Sequence, residues 1–359
     1  MTLLKKLGFF CSFLLPCLVV LGYYAGGIWN YGNLAFVFVI IPIADKMIGK
    51  DLQNIEETQL SEVASEQFFR FVLYAWTVMQ TLFLAWACYV VSLQNMTTAE
   101  YIGFLLGVMI VTGGVGITVA HELGHKINEL DRFTSQFLLL QVCYLHFYIE
   151  HNRGHHVHIA TPQDPATSRK GENFYRFWWR SVSQGWLSAW NLEKQRLQRK
   201  NMAVWSLQNM LLVYSCLMIA TILLLTVIFS LIHGKLVINV AIFFIAQSIL
   251  GFSLLEAVNY IEHYGILRRK ISENHYERVN LLHSWNANEL LSNWFLFQLQ
   301  RHADHHAAAT KPYQILNHID QSPQLPAGYP TMIVCALFPP IWFKIMDNRL
   351  ENWKMINQI

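Results

Sequence analysis

The run Tyr101–Lys126, YIGFLLGVMIVTGGVGITVAHELGHK, governs how the rest of the chain is read. Its first twenty residues, Tyr101 to Ala120, carry no charge. About 20 helical residues is what it takes to cross the hydrocarbon core of a bilayer. His121-Glu122-Leu123-Gly124-His125 follows directly, a full H-E-x-x-H match. On a helix this pattern sets two imidazoles on one face and usually belongs to zinc peptidases. Here it stands where an apolar helix leaves the membrane, so the choice is between an intramembrane protease and some other metal chemistry.

The apolar run is one of six. Uncharged or nearly uncharged stretches lie near 7–24, 27–44, 71–93, 101–120, 203–232 and 236–256. The 359-residue chain is 54% hydrophobic and only 14% charged, with a mean hydropathy of +0.29. Soluble chains average about 25% charged residues. The pattern predicts an all-α integral membrane protein: one domain over 1–359, six transmembrane helices, and a helical cap from 121–200 and 263–359. The run after Lys5-Lys6 reads as a span rather than a cleaved signal peptide, since no clear A-x-A site follows it. With the N-terminus inside, 25 of the 26 Lys and Arg residues fall on the inner side, and only Lys235 falls outside. The positive-inside bias therefore predicts a cytoplasmic cap and two cytoplasmic termini.

Other features refine this picture. The apolar stretch YPTMIVCALFPPIW near the C-terminus is short and broken by Pro339-Pro340, so it reads as interfacial or as cap packing, not a seventh span. Gly103, Gly107, Gly113, Gly114 and Gly116 in the fourth run predict close helix packing, or room for a slender apolar substrate. The six cysteines lie mostly in apolar runs, form no C-x-x-C pair and read as small packing residues. Nothing in the pattern suggests nucleic-acid binding.

The histidines set the chemistry. Nine of the fifteen fall in four clusters: His121 and His125; His151, His155 and His156 in EHNRGHH; His263 in NYIEHYG; and His302, His305 and His306 in LQRHADHH. Residues three and four apart share a helix face, so each multi-histidine cluster is expected to aim its imidazoles at one point. A tetrahedral zinc cannot use nine ligands. They suit two metals with four or five nitrogens each, and imidazole is compatible with iron, zinc, copper or nickel. His146, His158, His233, His275, His283 and His318 are read as non-ligands.

These four motifs, in this order and at these separations, resemble the membrane-bound non-haem di-iron alkane 1-monooxygenases, within the membrane fatty-acid desaturase/hydroxylase superfamily. The likeness extends to ATPQDPATSR, GENFYRFWWRSV, YERVNLLHSWN and SPQLPAGYP, and covers roughly Ile41 to the C-terminus. Ala303 stands where many relatives have Ser, between ligands. The resemblance implies two Fe ions as cofactor, held by His121, His125, His151, His155, His156, His263, His302, His305 and His306. It also implies O₂-dependent hydroxylation of a linear alkane to a primary alcohol, with electrons from rubredoxin and rubredoxin reductase. The chain has neither a G-x-G-x-x-G motif nor a Cys₄ rubredoxin site, as expected of an oxygenase fed by separate partners in a bacterial inner membrane. Glu122, Glu150, Glu262 and Asp304 adjoin ligands, and Glu256 lies seven residues before His263; all five are candidates to anchor imidazole N–H groups. EKQRLQRK from Glu193 and Arg268-Arg269-Lys270 read first as lipid-headgroup anchors and second as a dock for an acidic donor. The competing readings are the same chemistry on an aryl methyl group or fatty acyl chain, a desaturase, and the intramembrane zinc protease.

Overall fold

The structure, a computed structural model, describes residues 2–273 and 275–357. In chain order its main helices are α1 (Leu3–Ala25), α2 (Gly27–Ile48), α3 (Glu57–Ser65), α4 (Gln67–Ser92), α5 (Thr98–Gly124), α6 (Glu129–Leu140) and α7 (146–158). After them come α8 (Phe174–Arg199), α9 (Met210–His233), α10 (Ile238–His263), α11 (Leu290–Phe295), α12 (His302–Ala307), α13 (Tyr329–Ala336) and α14 (Pro339–Asn357). The two short strands at Lys270–Ser272 and His275–Tyr276 pair antiparallel. Among the described residues, six helices are long and apolar enough to cross a membrane: α1, α2, α4, α5, α9 and α10. The protein is an integral membrane protein with a helical cap at one end of the bundle.

The run that opens the sequence reading becomes α5. Thr97 starts it with a capping box: its hydroxyl accepts the Glu100 N–H, and the Glu100 carboxylate accepts the Thr97 N–H. Glu100 also accepts the Gly27 N–H at 2.7 Å, which ties α5 to the start of α2. The glycines let neighbours press against the helix. A Cβ at Gly113 would lie 2.5 Å from the backbone of Gly251 on α10, and one at Gly103 would lie 2.8 Å from the Tyr31 ring. Gly113 and Gly114 also border an apolar cavity, so Gly113 both admits a neighbouring helix and lines that space. Residues 110–116 relax into a π-helix just before the H-E-x-x-H turn.

The cap is fastened to the bundle by polar contacts. Arg301, buried, donates to the carbonyls of Leu316 at 2.5 Å and Asp51 at 2.9 Å, and Lys5 donates to the Asp51 carboxylate at 2.8 Å. The start of α1 thus lies at the cap end. Pro339-Pro340 ends no helix; Pro339 begins α14, where a missing N–H costs nothing. Trp342, Met346 and Leu350, one turn apart, are fully buried, and Trp342 packs on Tyr260 and Tyr264. The C-terminal apolar segment is cap packing and adds no seventh span.

Candidate metal centre

Four elements bring nine imidazoles to the end of the bundle. α5 supplies His121 from its last turn and His125 as the residue that caps its end, α10 supplies His263 from its last residue, and α7 and α12 supply the rest. They form two groups in which the ligand atoms lie within 4.8 Å of one another. One holds His121, His125, His151, His156 and His305. The other holds His155, His263, His302 and His306.

The partition cuts across the sequence clusters, contrary to the expectation that each cluster aims at one point. His151 and His155, four apart, go to different groups, while His151 and His156, five apart, share one. The reason is local: residues 151–155 are a π-helix, whose wider turn brings i and i+5 onto one face. On α12 the normal period holds for His302 and His306, and His305, about 100° away, reaches the other group.

The nitrogen positions fit metal ions. In the five-histidine group, His151 Nε2 is 3.1 Å from both His125 Nε2 and His156 Nε2. In the four-histidine group, His306 Nε2 is 2.8 Å from His302 Nε2 and 3.3 Å from His155 Nε2, and His302 Nε2 is 3.4 Å from His263 Nε2. Ligands at ~2.1 Å from a metal sit at the corners of a polyhedron with edges of roughly 3.0–3.4 Å. His121 Nε2 and His305 Nε2 are buried with no hydrogen-bond partner, an arrangement that costs free energy unless something binds them. Burial, reinforced by repulsion from neighbouring imidazoles, holds His151, His156, His302, His305 and His306 well below the usual histidine range. These side chains are therefore neutral, the ligating form.

The carboxylates divide differently. Glu262 lies with one oxygen 3.1 Å from His302 Nε2, and the other accepts from the Tyr329 hydroxyl at 2.7 Å. Glu122 points away: it pairs with Lys126 at 2.6 Å and accepts the Tyr313 N–H at 3.1 Å. Asp304 pairs with Lys311 at 2.6 Å and accepts the Asn317 N–H at 2.7 Å. Adjacent helical residues differ by about 100° in direction, so a neighbour of a ligand commonly faces elsewhere. Glu150 is buried 3.4 Å from the Ser188 hydroxyl, and Glu256 accepts from the Tyr144 hydroxyl at 2.9 Å. Burial, with the nearby Asp164 charge, raises the Glu150 carboxyl to about 8.

The imidazole anchor that sequence reasoning missed is Asp164. It lies 2.9 Å from His155 Nδ1, held by the Thr167 hydroxyl at 2.6 Å and the Ala166 N–H at 3.0 Å. Burial alone would lower the His155 pKa, but the charge and hydrogen bond of Asp164, with Glu150, raise it. The available signal was the stretch TPQDPATS, nine residues on from a ligand, whose only acid is Asp164. The histidines read as non-ligands stay outside both groups: His318 pairs with Asp320, His283 with Glu277 and His233 with Ser92, His146 packs on Tyr144, and His158 and His275 are exposed.

An apolar cavity enclosing about 840 Å³ of empty space, its open mouth included, runs from the bundle to this centre. Leu15, Phe38, Ile110, Gly114 and Leu254 line it, and His121, His151, His302 and Glu262 stand among its few polar residues.

The sequence is similar to those of known proteins. The family profile for fatty acid desaturases matches residues 96–336. Alkane 1-monooxygenase 2 of Pseudomonas aeruginosa is 42% identical over 90% of this chain and 85% of its own length. Alkane 1-monooxygenase of Acinetobacter baylyi is 40% identical over 91% of this chain and 78% of its own. The hydroxylase component of the xylene/toluene monooxygenase of Pseudomonas putida is 26% identical over 70% of this chain and 65% of its own. With about 40% identity across nearly its whole length to two such enzymes, the chain belongs to the alkane 1-monooxygenase family of membrane proteins, within the fatty acid desaturase superfamily.

Proposed function

We propose that this chain hydroxylates the terminal methyl group of linear alkanes to primary alcohols, using O₂, two histidine-held iron ions, and electrons from rubredoxin and rubredoxin reductase. The observation that carries the reading is the apolar cavity: it leads from membrane-spanning helices to His121, His151 and His302. A substrate without polar groups enters such a space and meets the metal-ligating side chains end first. When bound, the metals supply the redox chemistry that inserts an oxygen atom from O₂ into a C–H bond. The chain's own residues do the rest. Leu15, Val37, Phe38 and Ile110 exclude water and hold the chain extended, and Phe147 closes the wall beside His151. Asp164 fixes the orientation of His155, and Tyr329 holds Glu262 against His302.

The cap faces the cytoplasm of a bacterial cell and both termini lie on that side. The charge bias supports this, as do the contacts of Lys5 and Lys6 with Asp51 and Glu66. A basic groove of Arg153, Arg196, Arg199 and Lys200 lies beside the His151–His156 run, where an acidic redox protein could approach the centre.

The test is iron loading followed by rubredoxin-supported turnover on octane, hexadecane and xylene. Two irons per chain and a primary alcohol from an alkane are expected. Bound iron with no alcohol sinks the proposal, an alkene points to a desaturase, and oxidation of xylene alone points to an aryl-methyl hydroxylase. The zinc protease reading needs Glu122 as a general base, but that carboxylate is engaged by Lys126 and the Tyr313 N–H.

A further inference from the structure

The alkane cavity has a neighbour. Beyond Phe147, His151 and Asn259, which line both, lies a second, small chamber with about 310 Å³ of empty space, its opening included. Its lining is richer in polar groups. Tyr144, Glu150, Ser181, Glu256 and Asn259 face it. Glu256 sits within membrane-spanning α10 and is 2% exposed. It accepts from the Tyr144 hydroxyl at 2.9 Å, Asn259 Nδ2 is 3.5 Å from its second oxygen, and the Ser181 hydroxyl is a further partner. Among the described residues no Lys, Arg or His forms an ion pair with it. An acid at that depth is costly unless it is paired or functional.

Hydroxylation creates a use for such a chamber. One C–H bond and the O–O bond break. One oxygen enters the alcohol and the other leaves as water. Two electrons come from the external redox protein and two protons from solvent. The alkane cavity is too apolar to pass protons or to hold water. The polar chamber shares His151 and Asn259 with it and has several partners for ordered water. Its outer wall is α8, where Ser181, Gly185 and Ser188 fall on one face, with Ser188 half-buried toward the surface. A Cβ at Gly185 would meet nothing within 4 Å, so the helix leaves space there.

We propose that this chamber is the proton inlet of the reaction centre, with Glu256 as its innermost relay; the proposal rests on the hydroxylation reading above. Protons enter as solvent along α8, pass through water in the chamber to the Glu256 carboxyl, and continue past Asn259 to the centre. Glu256 acts through water and is a relay, not a metal ligand.

Three variants test this in the full-length, iron-loaded protein: Glu256→Gln, Glu256→Asp and Gly185→Leu. Glu256→Gln is expected to keep its iron and melting temperature, lose about 100-fold in alcohol turnover, and show an enlarged solvent isotope effect. Glu256→Asp restores part of the rate. Gly185→Leu fills the chamber from α8 and lowers the rate while every histidine and Glu256 is kept. A second readout needs no turnover. The infrared difference between wild type and Glu256→Gln should show a carboxylic C=O band that shifts in D₂O, more slowly when Gly185→Leu is also present. Unchanged turnover and isotope effect in an iron-replete Glu256→Gln protein overturn the proposal. So does loss of iron in that variant, which would make Glu256 a structural support. If wild type forms no alcohol, the hydroxylation reading fails by itself. The infrared exchange then decides the chamber, and absence of the band or of exchange refutes it.

Discussion

The two histidine groups stand side by side, yet they are built differently. The five-histidine group contains His121, His125, His151, His156 and His305, and among the described residues no carboxylate hydrogen-bonds its imidazoles. The four-histidine group has one imidazole fewer, but Asp164 holds His155 and Glu262 lies against His302. The two groups therefore differ in ligand number and in the acids that stand beside them. Carboxylates beside ligating imidazoles raise ligand basicity and fix ring orientation. Asp164, on the far nitrogen of His155, would support an ion held by the four-histidine group in this way, while the five-histidine group would rely on ligand number.

The largest expected effect removes a ligand from either side. His302→Ala and His121→Ala should each lower bound iron by about one ion per chain and reduce alcohol formation by roughly 1,000-fold or more. Iron analysis alongside product yield checks this. If His302→Ala left activity intact, the four-histidine group would not belong to the reaction centre.

The next effect is confined to the carboxylate-supported side. Asp164→Asn should weaken metal affinity of the four-histidine group by about 10–100-fold and leave the five-histidine group loaded. Chelator titration followed by iron counting reads the two groups separately. Equal losses from both would erase the proposed difference.

Glu122→Gln sharpens the comparison from the opposite direction. Glu122 adjoins a ligand of the five-histidine group but braces Lys126 and the Tyr313 N–H. The variant should lose ~1–3 kcal/mol of stability, keep its iron, and change turnover by less than about ten-fold. Abolished turnover in a folded, iron-replete Glu122→Gln protein would make the residue a catalytic acid or base.

The smallest effect concerns an acid that bonds to neither group. Glu150, raised to about 8 by burial and by Asp164, ionises near 4.5 in the unfolded chain. Its neutral form favours the fold, so its contribution is full below pH 4.5 and is lost as pH rises through about 8. Glu150→Gln should therefore melt higher than wild type at pH 8, by roughly 2–4 °C for each kcal/mol recovered, and nearly alike at pH 4.5. Thermal melting of metal-free protein at both pH values measures the difference. Equal shifts at both would mean that Glu150 is not neutral in the fold.

Legibility in the sequence followed the range of the forces involved. The spans could be read because a helix in lipid must satisfy its backbone internally, leaving a local mark of about 20 apolar residues. The π-turn at 151–155 left no such mark: EHNRGHH reads equally well at a period of four. Asp164 was passed over because it lies in a loop, and its closeness to His155 comes from the fold of residues 159–168 rather than from helical spacing. Glu122 and Asp304 were singled out for adjacency, while their direction is set by partners remote in sequence, Tyr313 for one and Asn317 for the other.

Hydropathy also says less about surroundings than about passage. Apolar 18-residue stretches of α5 and α9 have mean hydropathies of 2.2 and 2.6, yet 78% of the first stretch is buried and only 11% of the second. Glycine is the difference: α5 carries six, each with a neighbour against it, and α9 has none.

By itself the sequence determined the number of spans, the end of the bundle richest in charge and the nine imidazoles gathered there, since apolar length, charge and residue type are local properties. Only the tertiary structure decided which imidazole joins which group, which carboxylates reach them, and that an apolar cavity and a more polar chamber meet at His151. Those depend on directions and distances between segments far apart in the chain, fixed by packing such as that of Gly113 on Gly251 and by the wide turn that separates His155 from His151.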